Sequence, residues 1–141
     1  MATKKFRLKI VTPTKLTVDK DVSMVVMQTI DGQIGVQAGH IPVVTVLDHG
    51  VLRYYDDEKI EQVAVFGGYA EINQREVIVL AETAERPEDI DVERARQAKE
   101  RANRYLSEQR AEMDVMRAKV ALRKSLVRLE LSGQPLTSDK K

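Results

Sequence analysis

One stretch divides this sequence into two parts: ERPEDIDVERA, which runs from Glu85 to Ala95. Before it, apolar residues mostly repeat with a period near two, as in β-strands, and after it they repeat with a period near 3.6, as in helices. Pro87 cannot lie deep inside a helix, whereas Asp89 and Asp91 are both suitable N-cap residues. We therefore expect the helical part to begin at Asp91 or just after it.

Length and composition exclude several classes of protein. The 141 residues suffice for one modest domain plus an appendage, which we place at residues 1–85 and 86–141. No apolar run approaches the roughly eighteen residues of a membrane helix, and the first nine residues lack the apolar centre of a signal peptide. We expect a protein of the cytosol or an equivalent compartment. The sequence has no cysteine, which excludes disulfides, a thiolate nucleophile and a cysteine-bound metal.

The net charge of +1 conceals an asymmetry between the two parts. Residues 91–141 carry 13 Lys and Arg against 8 Asp and Glu, a net +5, while the remaining residues carry 10 against 14, a net −4. This distribution favours docking of one part on the other, or an anion held by the helices. A nucleic-acid surface would need a larger basic excess and more aromatic residues, so we expect no nucleic-acid partner.

The first part predicts a β-sandwich or flattened barrel that closes near residue 82. Residues 6–10 alternate apolar and basic side chains, as expected for a strand with one buried face. A longer run at residues 22–30 should lie centrally, with Val22, Met24 and Val26 sharing one face. The later strands are short, and we expect them at Val51–Tyr55, Ile60–Phe66, Tyr69–Ile72 and Val77–Leu80. Their connections, at residues 56–59, 67–68 and 73–75, are all predicted hairpins.

The second part predicts two helices. In the first, apolar residues fall within one arc of the helical wheel, and the second extends from about Asp114 to Leu131 with two apolar stripes. Residues 107–113 between them contain neither glycine nor proline. The sequence therefore permits a folded hairpin and also one nearly continuous helix of about forty residues. If the free energies of these two conformations differ by only a few kcal/mol, a ligand that binds one more tightly than the other could shift the population between them.

Candidate catalytic groups are few. The glycine-rich passage at residues 31–42 matches neither of the phosphate-binding glycine motifs, and we interpret it as turns. His40 follows a glycine and has no identifiable carboxylate, metal or nucleophile beside it, as a general base would need. We therefore expect no catalytic site.

Charged residues of the helical part offer a different kind of site. Asp91 and Arg94 share a helix face and could hold a polar ligand, or could be only an N-cap and a surface arginine. Arg94, Arg101, Lys124 and Arg128 would converge on one groove if the helices fold back antiparallel, and such a groove could bind a triphosphate. Otherwise they are solvated surface charges.

The chain resembles the epsilon subunit of the F-type ATP synthase over nearly its whole length. The resemblance rests on Val11-Thr12-Pro13, on Gly32-x-x-Gly35-x-x-x-Gly39-His40-x-Pro42, on Gly67-Gly68 and on the helical hairpin. It implies a β-sandwich followed by an antiparallel two-helix hairpin. It also implies a non-catalytic rotor subunit, peripheral at the cytoplasmic face of the bacterial membrane, that couples the gamma subunit to the c-ring and restrains ATP hydrolysis.

The same resemblance implies a contact surface. Asp31, Gly32 and Gln33 match the loop through which the family meets the c-ring, and His40 is placed with them in the contact with the c-ring and the gamma subunit. Gln33 stands where some relatives carry an acidic residue.

A nucleotide site is also implied. Bacillus-type members carry the motif Ile/Leu-Asp-x-x-Arg-Ala at an ATP site on the folded hairpin, and the sequence matches it at Ile90, Asp91, Arg94 and Ala95. The remaining positions associated with the nucleotide are Glu85, Arg101, Lys124 and Arg128. Lys124 replaces an arginine of such relatives, and lysine cannot donate two parallel hydrogen bonds to a phosphate.

The implied regulation follows from that site. ATP would be a regulatory ligand that is not hydrolysed, with the need for magnesium left open. Loss of ATP would free the helices to extend along the gamma subunit and meet the alpha/beta catalytic head. The alternative is a scaffold subunit whose helical arm never binds nucleotide.

Overall fold

The computed structural model describes residues 4–108 and 111–133. Its contacts divide the chain into two units, Met1–Arg86 and Pro87–Lys141. This division falls one residue after the boundary we predicted. Residues 134–141 of the predicted helical domain lie outside the described residues.

The first unit is a sandwich of two five-stranded sheets, so the predicted fold class is confirmed. The strands are β1 (Phe6–Val11), β2 (Leu16–Val22), β3 (Met24–Thr29), β4 (Gly32–Val36), β5 (Val43–Val46), β6 (Gly50–Asp56), β7 (Lys59–Phe66), β8 (Tyr69–Ile72), β9 (Glu76–Leu80) and β10 (Thr83–Glu85). One sheet has the order β2-β1-β9-β8-β5 and the other has the order β10-β7-β6-β3-β4. Neighbouring strands are antiparallel, except that β1 pairs with β9 in parallel.

The core lies between the sheets and follows from strand alternation. Leu8 and Ile10 of β1 are fully buried, while Arg7 and Lys9, which alternate with them along the strand, point outward. The inward residues of the other strands, such as Val63 and Val77, belong to the same apolar cluster. The prediction of a one-sided first strand is therefore confirmed.

The run at residues 22–30 differs from the prediction. Val22 ends β2 and Met24 begins β3, because the chain changes sheets at Ser23, whose backbone amide donates a hydrogen bond of 2.7 Å to the carbonyl oxygen of Tyr55. This change of sheet resets the alternation. Val25 and Met27 therefore supply the core residues of β3, and the single long strand expected over residues 22–30 is divided between two strands of different sheets. β3 is an inner strand, between β6 and β4, as expected.

The connection at residues 67–68 was also predicted wrongly. β7 and β8 belong to different sheets, so this segment crosses from one sheet to the other and forms no hairpin. Gly68 has φ +101°, and a Cβ atom there would lie 2.0 Å from the carbonyl oxygen of Leu80. The hairpins β6–β7 and β8–β9 are confirmed. β10 adds a further strand beside β7, so the sandwich ends at Glu85 and not near residue 82.

Three ion pairs, made by two lysines, connect the two sheets. Lys5, just before β1, lies 2.7 Å from Asp56 and 3.2 Å from Asp57 at the end of β6. Lys20 of β2 lies 3.1 Å from Glu61 of β7. Each pair joins a cation of one sheet to a carboxylate of the other.

The second unit contains a short 3-10 turn at Pro87–Asp89, then α1 (Val92–Ser107) and α2 (Glu112–Leu131). Asp91 is the N-cap of α1, as predicted, because its Oδ1 accepts a hydrogen bond of 3.0 Å from the backbone amide of Arg94. α2 begins two residues before Asp114 and ends at the predicted residue. Its N-cap, Ala111, has no side chain that could accept a hydrogen bond.

The two helices form an antiparallel hairpin. One groove between them is lined by Tyr105 and Asp114 near the connection and by Ala98 and Ala121 further along. Of the two conformations that the sequence permits, the structure therefore adopts the folded hairpin and not the continuous helix.

Candidate functional sites

The predicted contact loop is a tight turn between β3 and β4. Thr29 pairs with Gly32 across the two strands, which leaves a loop of Ile30 and Asp31. The hydroxyl of Thr29 donates a hydrogen bond of 2.6 Å to the carbonyl oxygen of Gly32 and accepts one of 3.1 Å from the amide of Asp31. Gly32 has φ +117°, which favours glycine. Asp31, Gly32 and Gln33 are exposed, and the internal bonds fix their turn.

His40 lies in a second loop, immediately before β5. Its Nδ1 is 2.7 Å from the carbonyl oxygen of Ile41, so Nδ1 carries the proton and donates. The backbone amide of Gly39 donates to the carbonyl oxygen of Gln74 at 3.2 Å, which ties this loop to the β8–β9 hairpin. The amide of Ile30 donates to the carbonyl oxygen of Val46 at 3.1 Å. The loops that carry Asp31 and His40 therefore lie at the two ends of β5.

An exposed apolar surface surrounds β5, the last strand of its sheet. We call it the β5 surface and define it by Ile30, Ile41, Val43, Val44, Val46 and Tyr69. Ile41 is 77% exposed and Val44 is 66% exposed. Sequence reasoning missed this surface, because it predicted no strand at residues 43–46, where β5 lies. The available signal was the mostly apolar run at residues 43–47. Neighbouring side chains of a strand point to opposite faces, so the apolar residues of this run cannot all face one core.

The β5 surface offers side chains more than backbone hydrogen bonds. The carbonyl oxygen of Val46 already accepts a hydrogen bond from Ile30, and Pro42 has no amide proton. Val44 pairs with Glu71 and Val46 with Tyr69 on the outward face of the sheet. A partner would therefore bind this face chiefly through apolar contacts.

The motif residues lie at the start of α1. Asp91 and Arg94 are exposed, Ala95 is buried, and Ile90 is half-buried with its amide 3.3 Å from the carbonyl oxygen of Pro87. The carboxylate of Asp91 is already engaged as the N-cap. Glu85 lies at the end of β10 in the first unit, whereas the other seven predicted nucleotide residues lie in the second unit.

Arg101 lines the groove between the helices. This groove has a volume of about 250 Å³ and is lined by Ala98, Arg101, Ala102, Tyr105, Asp114, Arg117, Ala118 and Ala121. Lys124 lines a second groove on α2, of about 440 Å³, which shares Arg117 and Ala121 with the first. Sequence reasoning did not assign Arg117 to the site.

Helical periodicity relates the other predicted cations to these grooves. Arg94 precedes Arg101 by seven residues and therefore shares its side of α1. Lys124 follows Arg117 by seven residues and precedes Arg128 by four, which places all three on one side of α2. The groove is lined by residues 98–105 of α1 and by residues 114–121 of the antiparallel α2, so one further turn beyond Ala98 and Ala121 brings Arg94 near the level of Lys124. Nucleotide binding by these residues stays a prediction.

The structure gives two further findings on metals and membranes. Within residues 4–108 and 111–133, no three His, Asp or Glu side chains are grouped so as to hold a metal ion. Neither helix, over the residues described, is both long enough and apolar enough to cross a bilayer.

Comparison with known proteins gives a consistent result for both units. Residues 5–87 match the family model "ATP synthase, Delta/Epsilon chain, beta-sandwich domain", and residues 88–133 match "ATP synthase, Delta/Epsilon chain, long alpha-helix domain". The ATP synthase epsilon chain of Desulforamulus reducens is 44% identical over 88% of this chain and 94% of the relative. That of Shouchella clausii is 41% identical over 89% of this chain and 93% of the relative.

A solved structure extends the similarity to three dimensions. A chain in the cryo-EM structure of the Euglena gracilis mitochondrial ATP synthase, described as OSCP/F1/c-ring, matches with a TM-score of 0.81 and 26% identity. The match covers 92% of this chain and 82% of that chain. Because both units match in order and bacterial relatives align along most of their length, this chain belongs to the epsilon chain family of ATP synthases, non-catalytic subunits of the central stalk.

Proposed function

We propose that the chain couples the gamma subunit to the c-ring at the cytoplasmic face of the membrane, and that ATP binding to its helical hairpin regulates ATP hydrolysis. The β5 surface is the observation that carries the coupling role. An exposed apolar patch bordered by polar loops is typical of a protein–protein contact surface. The Euglena assembly, described as containing F1 and a c-ring, supports this choice of partners.

The proposed contact has two parts. The apolar side chains around β5 bind the gamma subunit, and the β3–β4 turn with Asp31, Gly32 and Gln33 meets the c-ring. Gln33 is neutral, so the c-ring contact at this position depends on hydrogen bonds and not on charge. His40, held by Ile41, supports the loop that enters β5.

The coupling role is tested by a matched pair of substitutions. Ile41→Asp places a charge on the β5 surface, whereas Ile60→Asp places the same charge on β7 of the other sheet, where Ile60 is 53% exposed. We expect Ile41→Asp to weaken binding to a gamma–c-ring subcomplex by at least about tenfold, because a charge must be desolvated in the contact. Ile60→Asp should bind as the wild type does. Equal binding by all three chains would refute the proposed surface.

ATP binding rests on the face of the hairpin that carries Arg94, Arg101, Lys124 and Arg128. Guanidinium groups donate paired hydrogen bonds to phosphate oxygens, so the arginines bind the triphosphate and Lys124 contributes a single charge. Asp91 holds the first turn of α1 through its N-cap bond and thereby fixes the position of Arg94. Ile90 and Ala95 complete the proposed set within the second unit, and a role for Glu85 stays a prediction. The sequence contains no P-loop lysine motif of the kind that supports ATP hydrolysis, so we propose that ATP acts as a regulatory ligand and is not hydrolysed.

The N-cap bond of Asp91 determines how ATP binding must be tested. Asp91→Ala would remove a helix cap worth about 1 kcal/mol and could weaken binding through folding alone. Asp91→Asn keeps a capping oxygen and removes the charge. Arg94→Ala and Arg101→Ala remove proposed phosphate ligands, and Arg104→Ala removes an exposed arginine of the same helix outside the groove.

Calorimetric titration of these chains with ATP, with and without magnesium, gives the decisive comparison. We expect Arg94→Ala and Arg101→Ala to weaken binding by about tenfold or more and Arg104→Ala to leave it unchanged. Binding that is equal in all variants would remove these residues from the site. Failure of the wild type to bind ATP at millimolar concentration would favour the alternative function, a scaffold subunit with a helical docking arm.

Regulation is tested in the assembled enzyme. We expect hydrolysis by a complex containing this chain to be inhibited more strongly at low ATP, when the emptied hairpin opens and its cations reach acidic residues of the alpha/beta head. A disulfide between engineered cysteines that locks α1 to α2 should relieve the inhibition. Inhibition that persists in the locked complex would refute regulation by opening.

A further inference from the structure

The groove between α1 and α2 contains charges that do not neutralise one another. Arg101 and Arg117 are exposed and Asp114 is half-buried, and all three line the same volume of about 250 Å³. Over the described residues, none of the three takes part in an ion pair within 4.0 Å. Their fields therefore act on whatever enters the groove.

Short side chains keep the groove open between these charges. Four of its lining residues are alanines, whose methyl groups leave the volume unfilled: Ala98, Ala102, Ala118 and Ala121. Asp114 lines the same groove as Tyr105, at the end near the helix connection. Its side chain has one methylene group, so the carboxylate cannot swing far from the groove.

Asp114 and Glu112 could both stabilise the start of α2, so that role alone does not explain why Asp114 lies at the groove. It lies in the first turn of α2, where the helix dipole favours negative charge. Glu112 lies in the same turn and is exposed, but it does not line the groove. The dipole interaction is therefore available to both residues, but of the two only Asp114 lines the groove that Arg101 and Arg117 also line.

We propose that Asp114 restrains anion binding in this groove and thereby raises the ATP concentration at which the hairpin is half occupied. The inference rests on the proposed function and adds to it a residue that opposes the ligand. Arg101 and Arg117 attract a triphosphate, and the carboxylate of Asp114 repels it from the same cavity. Because the groove is partly enclosed, this repulsion is screened less than it would be on an open surface.

The test compares Asp114→Asn with Glu112→Gln in the full chain. Each substitution removes one negative charge from the first turn of α2, but only the first removes it from the groove. ATP and inorganic tripolyphosphate are titrated into each chain at low and at 1 M salt, with and without magnesium. We expect Asp114→Asn to lower the Kd for both probes by roughly three- to tenfold at low salt and by less at 1 M salt. Glu112→Gln should change it by less than about twofold.

The outcomes separate this inference from the proposed function. If the wild type binds ATP and Asp114→Asn binds it equally, Asp114 has no such role and the ATP site stands. If no chain binds either probe at millimolar concentration, both ideas fail. A loss of affinity in Asp114→Asn that occurs only with magnesium would show that the carboxylate holds the cation, which overturns the restraint. Asp114→Ser removes the same charge and replaces Asp114→Asn if circular dichroism shows that variant to be unfolded.

Discussion

The guanidinium of Arg86 donates a hydrogen bond of 2.9 Å from Nη2 to the backbone carbonyl oxygen of Thr17. Arg86 is the last residue of the first unit, and Thr17 lies on β2, an edge strand. The bond therefore attaches the end of the first unit to an edge of the sandwich.

Arg86→Ala tests this attachment. We expect the free energy of unfolding of the first unit to fall by about 1–2 kcal/mol, because a hydrogen bond from a charged donor is lost and the Thr17 carbonyl is left to water. Denaturant titration followed by tyrosine fluorescence measures the change. Arg75→Ala, in the exposed β8–β9 turn, serves as the control and should cost less than about 0.5 kcal/mol. Equal effects of the two substitutions would show that the Arg86 bond adds nothing to stability.

Gly68→Ala should be among the most damaging single substitutions in the sandwich. The new methyl group would meet the carbonyl oxygen of Leu80 at 2.0 Å, and the backbone has φ +101°. We expect a loss of about 3 kcal/mol or more, or failure to fold. Gly39→Ala is the control, since φ is +85° there but no atom lies within 4 Å of the added carbon. It should cost about 1–2 kcal/mol, and thermal melts of both variants give the comparison.

Ala111→Ser should stabilise the helical hairpin. Ala111 occupies the N-cap of α2 with an extended backbone, φ −55° and ψ 152°, but has no oxygen to accept a hydrogen bond from the first turn. A serine hydroxyl supplies that acceptor, which is worth about 1 kcal/mol. Helical circular dichroism during thermal unfolding measures the gain. Ala111→Val, which adds bulk without an acceptor, should give none, and a gain of the same size from valine would exclude capping as the cause.

The Lys5–Asp56 pair predicts how stability depends on pH. The hydrogen bond that the Asp56 carboxylate accepts from the Lys5 ammonium lowers the pKa of Asp56. The hydrogen bonds that Lys5 donates to Asp56 and Asp57 raise the pKa of Lys5. The contribution of Asp56 is therefore present above its unfolded pKa, about 3.9, and is lost as the pH falls through the lower folded pKa. The contribution of Lys5 is present below about 10.4 and is lost as the pH rises through the higher folded pKa.

Chemical denaturation of the wild type and Asp56→Asn over a range of pH tests that window. The wild type should exceed the variant in stability at neutral pH, and the difference should shrink below about pH 4 as the carboxylate is protonated. Lys5 is exposed and Asp56 is half-buried, so solvent and salt screen the pair and the difference should also shrink at high salt. A difference that is constant from pH 7 to pH 2 would contradict the assignment to this ion pair.

Local sequence rules predicted the local features of the fold. Asp91 was identified as an N-cap because an acidic residue followed a proline segment and preceded a helical period, and all of that information lies within a few residues. The end of α2 at Leu131 was equally local. The hairpins at residues 56–59 and 73–75 were predicted for the same reason.

The errors concern the partition of strands between two sheets. The sequence around Ser23 does not reveal that the chain changes sheets there, because the residues on either side of it, Val22 and Met24, are both apolar and the alternation is reset by one residue. Gly67-Gly68 has the composition of a tight hairpin turn, yet it connects strands of different sheets. The change of sheet at Ser23 depends on a contact with Tyr55, more than thirty positions away. The path at Gly68 depends on a contact with Leu80, more than ten positions away. No local sequence pattern contains either contact.

The candidate sites show the same division. Arg94 and Arg101 were selected from spacing along one helix and from family resemblance. Arg117 and Asp114 join Arg101 only because the two helices pack with a particular register, which their apolar stripes did not specify. The β5 surface was missed because exposure of a valine depends on the order of strands in its sheet.

The parallel pair of β1 and β9 fixes when the first unit can form during synthesis. Arg7 lies beside Glu76 and Val11 beside Leu80, so β1 must wait for roughly seventy further residues to leave the ribosome. Until then β1 has only β2 as a partner, and a lone two-stranded hairpin is marginal in water. A nascent chain halted before residue 76 therefore cannot close its first sheet, and assembly of the sandwich is delayed until β9 emerges.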